Sequence, residues 1–89
     1  MKVMEEIAYY IGGRVRREVI HALKEKPKTA VMLSDELNRS RPSISRILLE
    51  LEQKGYAKCV NPEKDKFRLY SLTGKGLKLL EKAEKYNKS

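Results

Sequence analysis

The chain is poor in the residues on which disulfide and metal chemistry depend. Its 89 residues include one cysteine, one histidine and no tryptophan. Cys59 cannot form an internal disulfide, because the sequence contains no second cysteine. Cys59 and His21 lie far apart and cannot make a tetrahedral metal site on their own. We therefore expect no metal and no cofactor, with Cys59 buried between sheet and helix and His21 on the surface of its helix.

Long apolar runs are also missing. No stretch approaches the ~20 apolar residues that span a bilayer. The first residues carry acids and no small-residue cleavage site, so we expect no secretory leader. The chain also lacks a nucleophile–base pair, a glycine-rich phosphate loop and a carboxylate pair set for acid–base work. These absences predict a cytoplasmic protein that makes no use of a membrane and is not an enzyme.

Positive charge is what the sequence has in excess. Its 20 lysines and arginines oppose 12 acidic residues, for a formal net charge of +8. The excess is uneven, because residues 1–40 hold 8 basic and 6 acidic side chains whereas residues 41–89 hold 12 and 6. A small basic domain favours polyanionic partners, chiefly nucleic acid. A soluble protein rich in lysine and glutamate, without such a partner, is the alternative.

Apolar residues recur at helical spacing in five segments and at two-residue spacing in two. We predict helices over residues 3–11, 14–26, 31–38, 40–54 and 74–87. We predict strands over residues 56–60 and 67–72, joined by the polar loop 61–66. This pattern indicates one domain over residues 1–89, mainly α with a small β-hairpin, and its length allows a single small core.

The helix predicted over 40–54, here called the reading helix, carries the clearest signals. Ser40 is suited to the N-cap, Pro42 to the first turn and Gly55 to a left-handed C-cap. With the helix at 31–38 it has the spacing of a helix-turn-helix. Its apolar stripe consists of Ile44, Ile47, Leu48 and Leu51. The arginines and serines near its start remain exposed, where they suit base edges and phosphates.

Two segments resemble a known family. The sequences S-R-P-S-I-S-R-I-L-L-E-L-E-Q-K-G-Y at 40–56 and F-R-L-Y-S-L-T-G-K-G at 67–76 are similar to the reading helix and wing return of ArsR-like and MarR-like winged helix-turn-helix transcriptional regulators of the small archaeal type. The resemblance covers about residues 13–80. It implies a winged helix-turn-helix with extra N- and C-terminal helices, at residues 1–12 and 74–87. The paired-cysteine metal sensor of some ArsR-like proteins is absent, so no metal response is carried over.

The resemblance implies that double-stranded DNA is contacted by the turn, the reading helix and the wing. Arginine can hold guanine, serine can reach a phosphate or base edge, and Pro42 offers an apolar surface to thymine methyls. The positions that match DNA contacts are Arg39, Ser40, Arg41, Pro42, Ser43, Ser45, Arg46, Lys64, Lys66 and Arg68.

Each part of this surface has a plainer alternative. Arg41 and Arg46 could be surface arginines that pair with Glu50 or another neighbour. The wing lysines alternate with acids, so a solvated turn is equally compatible with that loop. Leu49 projects off the apolar stripe, and we expect it to pack against the wing or a partner.

The terminal helices lie outside the common core in the family layout, yet both carry apolar residues. A short helix gains little stability alone, so its apolar side must pack on something. We predict a homodimer with interface residues Met4, Ile7, Ala8, Ile11, Leu79, Leu80, Ala83 and Tyr86. The alternative is that each helix folds back on its own subunit.

The predicted function is therefore sequence-specific binding of double-stranded DNA by a homodimeric transcriptional regulator. A winged-helix module that binds protein and a nonspecific chromatin-type DNA binder are the alternatives. The exposed Ser/Arg face of the reading helix favours DNA over protein. The sequence assigns no small-molecule effector.

Overall fold

The computed structural model describes the backbone of residues 2–88 and the side chains of residues 4–86. The elements in this part are α1 (Lys2–Ile11), α2 (Arg14–Glu25), α3 (Ala30–Leu37), α4 (Arg41–Gln53), β1 (Ala57–Cys59), β2 (Tyr70–Leu72) and α5 (Gly74–Lys88). The two strands pair antiparallel, with Ala57 opposite Leu72. The predicted winged helix-turn-helix with additional terminal helices is confirmed, and α4 is the reading helix.

Local capping fixes the turn between α3 and α4. Thr29 caps α3 and Ser40 caps α4, and each accepts a hydrogen bond from the backbone N–H three residues ahead, at 3.1 and 3.3 Å. Asn38 after α3 and Gly55 after α4 take left-handed conformations, with φ of 54° and 83°. Both residue types tolerate this conformation. The cap roles predicted for Ser40 and Gly55 are confirmed, and α3 begins one residue earlier than predicted.

The core lies where α2, α3, α4 and α5 meet. Side chains that are at most 1 % exposed are Val19, Ile20, Leu33, Ile44, Leu48, Leu51, Leu79, Leu80 and Ala83. Burying one large aliphatic side chain contributes about 1.5–3 kcal/mol. Three members of the stripe predicted on the reading helix belong to this set, so the core fixes which face of α4 turns outward.

The wing strands are shorter than predicted because the side chain of Asn61 replaces part of the ladder. Its Oδ1 accepts the backbone N–H of Leu69 at 2.7 Å, and its Nδ2 donates to the carbonyl of Phe67 at 3.2 Å. Cys59 is half-buried beside this loop, with its Sγ 3.4 Å from Asn61 Oδ1 and from the Nε of Arg68. The expectation that Cys59 points into the core is therefore wrong.

The terminal helices pack within one subunit. α1 lies along α5, and Lys82 Nζ is 3.3 Å from Glu6 Oε2. The expectation that both helices lie outside the subunit core is wrong. Four of the predicted interface residues are buried in the single chain, namely Ile7, Leu79, Leu80 and Ala83.

Helix α1 has two apolar sides, and only one of them packs in the subunit core. Ile7 and Tyr10 face the core and are 5 % and 3 % exposed. The other predicted interface residues of this helix, Met4, Ala8 and Ile11, are exposed and follow the i, i+4, i+7 spacing of one face. The sequence merges both sides into one stripe.

No helix within residues 2–88 combines the length and the apolar character that a bilayer crossing requires.

Candidate nucleic-acid interface

The first two turns of α4 present hydroxyl and guanidinium groups to solvent. Ser40, Arg41, Pro42, Ser45 and Arg46 are exposed. Ser43 is half-buried, and its hydroxyl oxygen lies 2.9 Å from that of the N-cap Ser40. Because the apolar side of α4 is buried, these groups share its outer side and its N-terminal end, where backbone N–H groups also favour an anion.

Arg41 and Arg46 differ from the arginines around them. Within residues 4–86, neither has an ion-pair or hydrogen-bond partner. Arg39 is held by Glu18, with Nε–Oε1 and Nη2–Oε2 distances of 3.2 and 3.3 Å. The guanidinium of Arg39 is therefore anchored within the subunit, and its predicted phosphate contact stays a prediction. The free arginines are those on the outer side of α4.

The carboxylate of Glu50 contacts side chains of α1 and α2. Arg16 Nε lies 3.3 Å from Glu50 Oε1, and the guanidinium covers the ring of Tyr9 at 3.9 Å from its centroid. The hydroxyl of Tyr9 donates to the same carboxylate. Burial is the main reason why the pKa of Tyr9 lies well above its ordinary value, and this hydrogen bond is the second. The alternative in which Glu50 neutralises Arg41 or Arg46 is therefore wrong.

The wing adds further positive charge beside α4. Lys64 and Lys66 are exposed and have no partner among the described side chains. Arg68 is half-buried at the wing base against Cys59. A cleft of about 230 Å³ between the wing and α4 is lined in part by Arg68, Phe67 and Ser45. The structure thus brings the wing and the reading helix together on one side of the subunit.

Leu49 lies on the outside of α4. Its side chain is 54 % exposed, so it packs neither in the core nor under the wing. Of the two expectations for Leu49, contact with a partner is the one that remains.

Sequence reasoning missed Lys28, which fixes the wing to the helix-turn-helix. Its backbone forms an antiparallel bridge with Tyr70 through two 2.9 Å hydrogen bonds. Its buried ammonium lies 2.8 Å from carboxylate oxygens of both Glu25 and Glu36. Burial alone would lower the pKa of Lys28, but the two carboxylates outweigh burial and raise it. The residues next to Lys28 in the sequence form no pattern that would distinguish this buried lysine from an exposed one.

The geometry defines a winged-helix protein, and comparison with known proteins specifies its family. Residues 4–89 match the family model described as HVO_A0261 N-terminal domain, and the chain belongs to that family. No curated protein sequence matches the chain.

Solved structures share the fold. The chain is similar to transcriptional regulator Tm0710 from Thermotoga maritima, with 19 % identity, a TM-score of 0.72 and coverage of 94 % of this chain and 63 % of that one. It is similar to the MarR family transcription regulator SP03579, with 26 % identity and a TM-score of 0.75; the match covers 97 % of this chain and 58 % of that one. It is also similar to a MepR mutant from S. aureus that was solved bound to oligodeoxyribonucleotide, with 20 % identity and a TM-score of 0.76. This match covers 98 % of this chain and 66 % of that one. The chain therefore spans 58–66 % of the length of these three proteins. The predicted MarR-like resemblance is confirmed.

Proposed function

We propose that the chain binds double-stranded DNA and acts as a transcriptional regulator, a binding function rather than a catalytic one. The observation that carries this proposal is the pairing pattern of the arginines. Arg41 and Arg46 on the outer side of α4 have no partner among the described side chains, whereas Arg16 and Arg39 are held by carboxylates. A buried apolar stripe fixes this outer side, so two free guanidiniums project from one rigid helix.

Each group on this surface has a use in DNA recognition. Free guanidiniums can make bidentate contacts with guanine in the major groove. The hydroxyl of Ser45 can reach a phosphate or base edge, and Lys64 and Lys66 can neutralise phosphates beside the groove. The similar MepR mutant was solved with bound oligodeoxyribonucleotide, which supports the same use of the fold here.

We further propose that the working form is a homodimer. Met4, Ala8 and Ile11 form an exposed apolar row on α1, and α5 exposes Leu77. A second copy of the chain is a suitable cover for this row. A two-fold arrangement through α1 can place two copies of α4 in successive major grooves, about 34 Å apart. Such a dimer requires a roughly palindromic operator.

Selection of bound duplexes from a random pool tests specificity and symmetry together. We expect the wild type to enrich two inverted half-sites with centres about 10 base pairs apart. Selection with Arg46→Ala is expected to lose the preference at one position in each half-site. Enrichment without any motif would support a nonspecific DNA coat, and the absence of any bound duplex would support a protein-binding module.

A further inference from the structure

Phe67 is an aromatic side chain that neither the core nor the predicted set of DNA contacts uses. It is the only phenylalanine of the chain. Its side chain is 72 % exposed, more than any other large apolar side chain in residues 4–86. An exposed ring of this size on a loop gains little from burial in its own subunit.

The backbone of Phe67 is held in a conformation that suits glycine better. Its φ is 57°, in the left-handed region that a bulky residue rarely adopts. Asn61 holds this conformation, because its Nδ2 donates to the Phe67 carbonyl at 3.2 Å while its Oδ1 accepts from Leu69. If the turn alone determined the residue, glycine would occupy the position without steric cost. The ring is therefore presented to solvent by a fixed backbone.

The surroundings of the ring indicate an anionic partner. Lys66 and Arg68 flank it in the chain, and the exposed Lys64 lies on the same loop. Phe67 also lines the cleft between wing and α4, together with Ser45, Arg68 and the acid Asp65. The ring thus lies beside the outer side of the reading helix, in a wing whose three cations outnumber its two acids, Glu63 and Asp65, by one.

We infer that Phe67 contacts DNA directly, with its ring inserted in the minor groove next to the half-site that α4 reads. This inference rests on the proposed function. Lysine and arginine on either side of the ring would neutralise phosphates of the two groove walls. Apolar side chains of minor-groove proteins pack against the sugars and partly unstack a base step. An uncharged ring responds to groove width and flexibility, so its contribution adds specificity without adding salt dependence.

Comparison of Phe67→Gly with Phe67→Leu and Lys66→Ala, on the duplex selected by the wild type, tests this inference. We expect Phe67→Gly to weaken binding about tenfold, since the ring no longer packs against the groove. The slope of log affinity against log salt should stay unchanged, whereas Lys66→Ala should make it shallower by about 0.9 for each subunit that binds. Phe67→Leu should keep most of the affinity. The melting temperature of Phe67→Gly should equal or exceed that of the wild type, because glycine relieves the backbone.

Hydroxyl-radical footprinting locates the position of the ring on the duplex. The wild type should protect a minor-groove segment beside each half-site, and Phe67→Gly should lose that protection alone. Wild-type affinity in Phe67→Gly overturns the inference and leaves the proposed function intact. A lower melting temperature in Phe67→Gly, or altered sedimentation with unaltered DNA affinity, also overturns it in favour of a structural or protein contact. If the wild type binds no duplex, the proposed function and this inference fail together.

Discussion

Both carboxylate oxygens of Glu36 lie 2.8 Å from the ammonium nitrogen of Lys28, whose side chain is only 3 % exposed. The ammonium also lies 2.8 Å from Glu25, so one buried cation joins the end of α2 to α3. Because the backbone of Lys28 pairs with Tyr70 of β2, the same residue connects the wing to the helix-turn-helix. The relative positions of the reading helix and the wing therefore depend on this residue.

Removing the two acids should cost more than removing the lysine. The double variant Glu25→Gln, Glu36→Gln leaves a buried ammonium without a counter-charge, and we expect it to lower the free energy of unfolding by more than Lys28→Met does. Lys28→Met leaves two carboxylates that water reaches, 69 % and 43 % exposed, and should cost about 1 kcal/mol. Urea denaturation measures both, and the opposite order would contradict this account of Lys28.

A methyl group at Gly76 should destabilise the fold. A Cβ there would lie 2.3 Å from the carbonyl oxygen of Tyr56, where α5 starts against the wing. Since that neighbour is backbone, we expect Gly76→Ala to lower the free energy of unfolding by about 1–3 kcal/mol. Gly74→Ala is the matched control, because no atom lies within 4 Å of its Cβ, and it should be neutral or slightly stabilising. Equal melting temperatures for the two variants would contradict the close approach.

Stability should fall at alkaline pH. Burial raises the pKa of Tyr9, Tyr10, Tyr56 and Tyr70, and the pKa of Lys28 is also raised. As pH rises, these groups lose protons first in the unfolded state. Their contribution is therefore complete below about pH 10 and is lost as pH rises through the higher folded-state values.

Tyr9→Phe tests this dependence at one residue. Between the unfolded and folded pKa values, each such group adds a slope of about 1.4 kcal/mol per pH unit. Above about pH 10, the free energy of unfolding of Tyr9→Phe should therefore fall less steeply with pH than that of the wild type, because one such group is missing. Guanidinium denaturation at several pH values from about 9 to about 11.5 measures this slope. An unchanged slope in the variant would show that Tyr9 titrates alike in both states.

The proposed dimer is tested at Ile11 rather than at Ile7, although the sequence predicts both residues to lie in the interface. Ile11→Glu changes an exposed residue, so the subunit should keep its fold and become monomeric. Ile7→Glu changes a buried residue and should unfold the subunit. Sedimentation equilibrium with circular dichroism separates these effects. A wild type that stays monomeric at high concentration, or a folded Ile11→Glu variant that dimerises as well as the wild type, would remove the proposed interface.

The helices and the outer side of α4 could be predicted because their signals are local. A cap, a proline in the first turn and a terminal glycine lie within one helix length, and the apolar stripe assigns the opposite side to solvent. The same reasoning predicted the wing from a change of period, but it placed the strand ends too far into the loop. The side chain of Asn61 takes over ladder hydrogen bonds there, and this role leaves no trace in hydrophobic spacing.

The relationships that the sequence did not predict join distant residues. Glu50 meets Tyr9 across 41 positions of sequence, and Lys28 depends on Glu36 in the next helix. Glutamate and lysine are usually exposed, so contacts such as these become visible only once the helices are assembled. The same limit affected the terminal helices, because spacing shows an apolar side without showing which subunit covers it.

The central claim is that the free arginines on the outer side of α4 bind DNA, and a salt titration of affinity tests it most directly. The double variant Arg41→Ala, Arg46→Ala is compared with Lys78→Ala, Lys85→Ala, which removes two exposed charges from α5 instead. On the selected duplex we expect the α4 variant to bind more than about tenfold more weakly than the wild type. Its salt slope should become shallower by about 0.9 for each phosphate that the variant no longer neutralises, while the α5 variant stays within about twofold of the wild type. Equal reductions of affinity in the two variants, or an affinity that salt does not change, would contradict the claim.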